Sequence, residues 1–172
     1  MFSENTAKQA MLQNMLKEKI AEREKSESVQ TEEEVQFLSF TVSNELFGID
    51  LIHVHEILKP AFITRIPNVE DFVLGVINLR GEIIPIVDLK KKFEQGFTEI
   101  NKLTRIVVLE YNTKRFGMIV EEVKQVIKIQ KNTISAINNQ LSISFNYMID
   151  FVGRSGDDIV LLIDLKKLIK ID

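Results

Sequence analysis

From Val35 onward the chain carries the same set of short apolar runs twice, and this duplication restricts the fold more than any other feature. Laying FLSFTVSNELFGIDLIHVHEI, which starts at Phe37, over IVVLEYNTKRFGMIVEEVKQV, which starts at Ile106, gives a gap-free offset of 69 residues. Phe47-Gly48 then falls on Phe116-Gly117, Val54 on Val123 and Ile57 on Val126. Further along, IIPIVDLKK from Ile83 matches IVLLIDLKK from Ile159 at an offset of 76. The pieces keep one order in both halves, so the chain reads as two copies of a β unit of about 70 residues each.

The runs are rich in Val, Ile and Phe and are bounded by Gly, Asn or Asp, as strands are. Units of this size made of short strands close into barrels or pack as sandwiches, which removes exposed edges. DLKKKF and DLKKLI each open with Asp, a favourable N-cap, so short helices are expected after Asp88 and Asp164. The repeated Phe-Gly step predicts a turn or bulge where a side chain would collide. Pro85 has no N–H for a ladder, which predicts an edge or bulge position.

Residues 1–34 are of another kind. Met11, Leu12, Met15, Leu16 and Ile20 make a narrow helical stripe, and residues 26–34 are polar and acidic, as a linker is. The expectation is a flexible tail with a short helix that either frays or docks on this protein or a partner. Residues 35–172 are expected to form one domain of two barrel halves, at about 35–100 and 101–172.

Composition removes several functions. The formal net charge is −3 and there is no cysteine. A basic footprint for nucleic acid is missing, and disulfides, thiolate metal sites and a cysteine nucleophile are excluded. No apolar run approaches the ~20 residues that span a bilayer, and no secretory signal opens the chain. A soluble cytoplasmic protein is expected. His53 and His55 would face one side of a strand, and with Asp50 or Glu56 they are the candidate zinc ligands. A catalytic zinc usually takes three protein ligands and no third histidine exists, which favours ordinary surface histidines. No Gly-x-Ser-x-Gly, Walker-A or Gly-x-Gly-x-x-Gly pattern occurs, and FVGRSGDDIV reads as a turn. No catalytic residue, cofactor or metal site is expected, and no enzyme activity.

Within GVINLRGEIIPIVDL, a charged turn, Asn78-Leu79-Arg80-Gly81, stands between two apolar runs. Asn first and Gly last suit a β-turn that pushes Arg80 outward. A guanidinium fork grips carboxylates. Two readings stay open here: Arg80 pairs with Glu56 or another acid of its own half, as most surface arginines do, or it meets a partner.

This segment resembles the hallmark of the CheW-like domain family, the bacterial chemotaxis coupling proteins. The likeness covers residues 35–172 and includes FGIDLIHVHEI, TRIPN at 64–68, and FGMIVEEVKQV. It implies a mainly β fold of two five-stranded SH3-like antiparallel β-barrels around a shared core, with short helices. It implies a non-catalytic scaffold that couples transmembrane chemoreceptors to the histidine kinase CheA in membrane-associated arrays, without entering the membrane. Carried over residue by residue, Val54, Glu56, Arg80 and Val123 match positions that bind the cytoplasmic tip of the receptor. Leu38, Leu51 and Val54 match positions that face the kinase's regulatory domain. The alternative is a CheW-like adaptor of a non-chemotaxis two-component pathway. Some relatives carry a receiver domain after the coupling domain; none is expected in a chain ending at Asp172.

Overall fold

A computed structural model describes residues 3–27, 33–137 and 148–169; much of the expected linker, residues 28–32, lies outside them. The chain divides into two compact units, Met1–Glu33 and Glu34–Asp172. The first holds one helix, α1 (Ser3–Glu27), longer than the stripe alone implied. Ala, Leu, Met, Gln, Glu and Lys, all good helix formers, fill most of it. Met11, Leu12, Met15, Leu16 and Ile20 are each at least half exposed.

The second unit runs β1 (Glu34–Val42), β2 (Glu45–Asp50), a 3-10 turn (Leu51–His53; a second follows β8 at Lys131–Thr133), β3 (Val54–Leu58), β4 (Val73–Leu79), β5 (Glu82–Asp88) and α2 (Leu89–Lys92). It continues with β6 (Arg105–Tyr111), β7 (Lys114–Val120), β8 (Glu122–Gln130), β9 (Ser135–Ala136), β10 (Ile149–Ser155), β11 (Asp158–Ile163) and α3 (Leu165–Ile169). The duplication is carried strand by strand: β1 to β3 recur as β6 to β8, β4 and β5 as β10 and β11, and α2 as α3. Asp88 Oδ1 accepts from Lys90 N and Lys91 N at 3.1 and 3.3 Å, and Asp164 Oδ1 from Lys166 N at 2.8 Å. Both aspartates therefore cap, as their type and position suggested.

The strands form a six-stranded sheet, ordered β8-β1-β2-β11-β10-β9, and a five-stranded sheet, ordered β3-β6-β7-β5-β4. The mainly β architecture is the expected one, with a two-residue strand, β9, making the sixth. The division into barrel halves near residues 100 and 101 is not how the sheets divide. Each sheet takes its first two strand types from one repeat and the remaining three from the other. The exchange is made by two parallel ladders, Leu162 beside Gly48 in β11–β2 and Ile86 beside Gly117 in β5–β7. The chain changes sheets at short connections, the 3-10 turn capped by Asp50 (Ile52 N to Oδ1, 3.1 Å) and Glu121. Glu121 Oε1 accepts from Lys90 Nζ at 2.7 Å and its Oε2 from Ser43 N at 2.9 Å.

The central strands are buried on both faces, so they read as continuous apolar runs rather than alternating ones. In β6, Val107 and Leu109 face a core shared by both sheets, while Ile106 and Val108 fill the five-stranded sheet's own interior. The shared core takes Leu38, Phe40 and Val42 from β1, Phe47 and Ile49 from β2, and Phe116, Met118 and Val120 from β7. Phe47 stacks on Phe40 and on Phe93, with ring centroids 6.0 and 5.2 Å apart, and such pairs add ~0.5–1.5 kcal/mol beyond burial.

Two local expectations are corrected. The Phe-Gly step is no turn; both copies lie inside strands, with the ring in the shared core. The collision was read correctly: a Cβ on Gly117 would meet Ile86 Cδ1 at 2.6 Å and one on Gly48 would meet Leu162 Cδ2 at 3.1 Å. Pro85 lies in a central strand rather than at an edge or bulge. It stands opposite Val76, whose N and O both bond Thr64 at 2.9 Å. The parallel ladder to β7 begins only at Ile86, so no ladder partner is lost.

Candidate interaction site at the Arg80 turn

Leu79 pairs with Glu82, which leaves Arg80 and Gly81 as a two-residue hairpin loop with φ of 52° and 86°. Positive φ at both positions is the turn whose twist matches its strands. The turn is therefore one residue further on than the Asn-first reading placed it. Asn78 acts as its brace, Oδ1 accepting from Gly81 N at 2.9 Å. Among the loop's two residues the glycine takes its conformation freely, whereas Arg80 in the left-handed region carries a modest strain.

Glu56 reaches this turn from β3. Val54 lies opposite Leu109 and Glu56 opposite Val108, so His55 is an extra residue, a β-bulge that re-aims its neighbours. Arg80 Nη1 donates to Glu56 Oε1 at 2.7 Å and Nη2 to Oε2 at 3.2 Å, a fork on a carboxylate. The bond from Arg80 holds the Glu56 carboxyl below its ordinary value, and Arg80 is raised in turn. The pairing joins β3 to the β4–β5 hairpin, the two ends of the five-stranded sheet. Of the two open readings, the intramolecular pair is thus present, yet the Arg80 side chain is 73% exposed. Next to it, Arg115 Nε donates to Glu110 at 2.6 Å and Nη1 to Glu82 at 2.8 Å.

The other candidate residues are spread over the unit. Val54 and Leu51 are half-buried against the shared core, and so is Val123, which stands opposite Phe40 in the other sheet. Leu38 is different: at 3% exposure it is part of the core itself, because β1 turns it toward β6 and β7. In the folded unit Leu38 therefore offers almost no surface of its own. Sequence reasoning passed over Ile52, 81% exposed within the 3-10 turn. Three apolar residues in the run Ile49-Asp50-Leu51-Ile52 cannot all turn inward after a capping Asp, which was the available signal.

His53 and His55 do not share a strand face. His53 ends the 3-10 turn and packs on Tyr111, ring centroids 5.6 Å apart, while His55 Nε2 lies 3.8 Å from Glu56 Oε1. Among the described residues no three His, Cys, Asp or Glu side chains gather as a metal site, and no helix is long and apolar enough to cross a membrane.

Comparison with known proteins agrees with this architecture. The family model for the CheW-like domain matches residues 36–172. The chain is 31% identical to the chemotaxis protein CheW of Helicobacter pylori over 166 residues, covering 94% of this chain and 99% of that one. It is 36% identical to the chemotaxis protein CheW of Klebsiella aerogenes over 135 residues, 78% of this chain and 81% of that one. The crystal structure of scaffolding protein TtCheW from Thermoanaerobacter tengcongensis superposes with a TM-score of 0.75 at 34% identity, covering 81% of this chain and 95% of that one. With strand order, repeat and sequence in agreement, the chain belongs to the CheW-like domain family.

Proposed function

We propose that this protein is a non-catalytic cytoplasmic scaffold that couples chemoreceptors to the histidine kinase CheA. One observation carries the reading: Arg80 is held by two hydrogen bonds on a rigid turn and still presents most of its surface to solvent. An ion pair this exposed contributes little to stability. An exposed, pre-oriented guanidinium is suited to recognition.

The receptor tip lays an apolar helical stripe against Val54 and Val123, the helix-in-groove mode. Arg80, aligned by Glu56, gives orientation and discrimination more than bulk affinity. Each apolar side chain buried in such a contact is worth ~1.5–3 kcal/mol, so a few suffice for a reversible signalling contact. The kinase's regulatory domain meets Leu51 and Val54, and exposed Ile52 extends that face.

The test is reconstitution of kinase phosphorylation with a receptor fragment, CheA and this chain. Arg80→Glu is expected to abolish receptor-dependent kinase control while kinase binding and the unfolding midpoint persist. Normal receptor coupling by that variant would overturn the reading.

A further inference from the structure

Between β3 and β4 the chain forms an unassigned sheet edge. Thr64 N donates to Val76 O and Val76 N to Thr64 O, both at 2.9 Å, so this residue joins the outer side of β4. Both Thr64 backbone groups point to β4, and alternation sends those of Ile63 and Arg65 to the opposite side. There they have no backbone partner among the described residues. Pro60 and Pro67 bracket the stretch and favour extended chain at Lys59 and Ile66.

Ile63 packs into the five-stranded sheet's interior, which turns Phe62 outward. Phe62 is 88% exposed, with Ile66 and, on β5, Ile83 also exposed. Unpaired edges with exposed aromatic residues are the features sheets otherwise blunt or cover. The edge carries two cations, Lys59 and Arg65. Lys59 and Arg65 form no ion pair among the described residues, whereas Lys91 pairs with Asp71, Arg80 with Glu56, and Arg115 with Glu82 and Glu110. Lys59 and Arg65 stand three residues to either side of Phe62 in a protein of net charge −3.

We propose that residues 61–66 are a β-augmentation site for an extended partner segment in which acidic and apolar residues alternate. Its backbone bonds the free groups of Ile63 and Arg65, its apolar side chains cover Phe62, and its carboxylates meet Lys59 and Arg65. This surface is separate from the Arg80 contact and does not rest on the receptor reading.

The probe is an alternating Glu-Val octapeptide with blocked ends, added to the full chain and followed by NMR. Binding is expected with amide exchange at Ile63 and Arg65 slowed at least about tenfold. Phe62→Asp and Arg65→Glu, both at exposed positions, are each expected to weaken binding at least about tenfold with the melting temperature unchanged. An N-methylated version of the peptide, which cannot pair, and a Lys-Val version are expected to lose binding. Absence of binding by the Glu-Val peptide, equal binding by either control, or insensitivity to both substitutions would overturn the proposal. Concentration-dependent self-association abolished by Phe62→Asp would overturn it too, assigning the edge to a second copy of the chain.

Discussion

The bulge in β3 and the bulge in β8 are one feature at an offset of 69, held in opposite ways. In β8, Lys124 and Gln125 lie opposite Ser39 of β1. The Ser39 hydroxyl, 1% exposed, donates to Gln125 O at 2.7 Å and accepts from Gln125 N at 3.2 Å. In β3 the residue in Ser39's place is Val108, which has no hydroxyl, and the bulge carries Glu56 clasped by Arg80. The residues matching Glu56 and Arg80 in the second repeat are Gln125 and Gly156, an amide and a glycine. A buried hydroxyl tied to backbone serves folding alone, since nothing outside can reach it. A charged clasp on the surface serves folding little and remains open to a partner. The two repeats thus share a scaffold, and one of them exposes a grip.

Substitutions at matched positions test that difference. The largest effect is expected at Gly75, where φ is 137° and a Cβ would lie 2.1 Å from Thr64 O. Gly75→Ala should cost about 3 kcal/mol in urea unfolding, combining backbone strain with overpacking. The matched residue in the second repeat is Phe151, so no such restriction acts there, and a Gly75→Ala protein of unchanged midpoint would remove the asymmetry. Next come the paired glycines. Gly117→Ala drives a methyl to 2.8 Å from the stiff Ile106 Cγ2 as well as onto Ile86, whereas the approaches at Gly48 begin at 3.1 Å. The first should cost ~2–3 kcal/mol and the second about 1, and the reverse order would show that the two parallel ladders yield differently.

Ser39→Ala should cost ~1–2 kcal/mol, because it leaves backbone groups of Gln125 without their partner. Arg80→Ala, which removes the corresponding hold on the β3 bulge, should leave the unfolding midpoint in place and show its effect in receptor binding. A large loss of stability there would make the clasp structural after all. The smallest effect is that of pH on the clasp. Arg80 lowers the folded Glu56 carboxyl below its ordinary value of 4.5, so the folded protein takes up this proton less readily than the unfolded chain. The carboxylate's contribution is complete above the ordinary range and is lost as pH falls through the lower, folded value. NMR signals of the Arg80 guanidinium should therefore stay unchanged from neutral pH down to the ordinary carboxylate range and move only in stronger acid.

Much of the site was legible from residue type. Gly81 and the apolar runs around it pointed to an exposed turn for Arg80, and Glu56 was one of the acids it could meet. The register of the turn was not legible, since Asn78 suits the first place of a β-turn as well as it suits bracing a two-residue loop. The burial of Leu38 was not legible for a related reason. On a strand buried on both faces, alternation no longer tells core from surface, and FLSF offers apolar residues to both sides.

By itself the sequence determined that the second unit is built from one strand set used twice, with glycines where neighbouring strands come close and aspartates where helices begin. These are local matters of side-chain volume, backbone freedom and capping. Which strands share a sheet was decided only by the tertiary structure. β2 and β7 have the same pattern, so either could lie beside β5 or β11 with equal local fit. The choice falls to the short connections at Leu51–His53 and Glu121, which carry the chain across, and to a shared core that fills only when each sheet borrows from the other repeat.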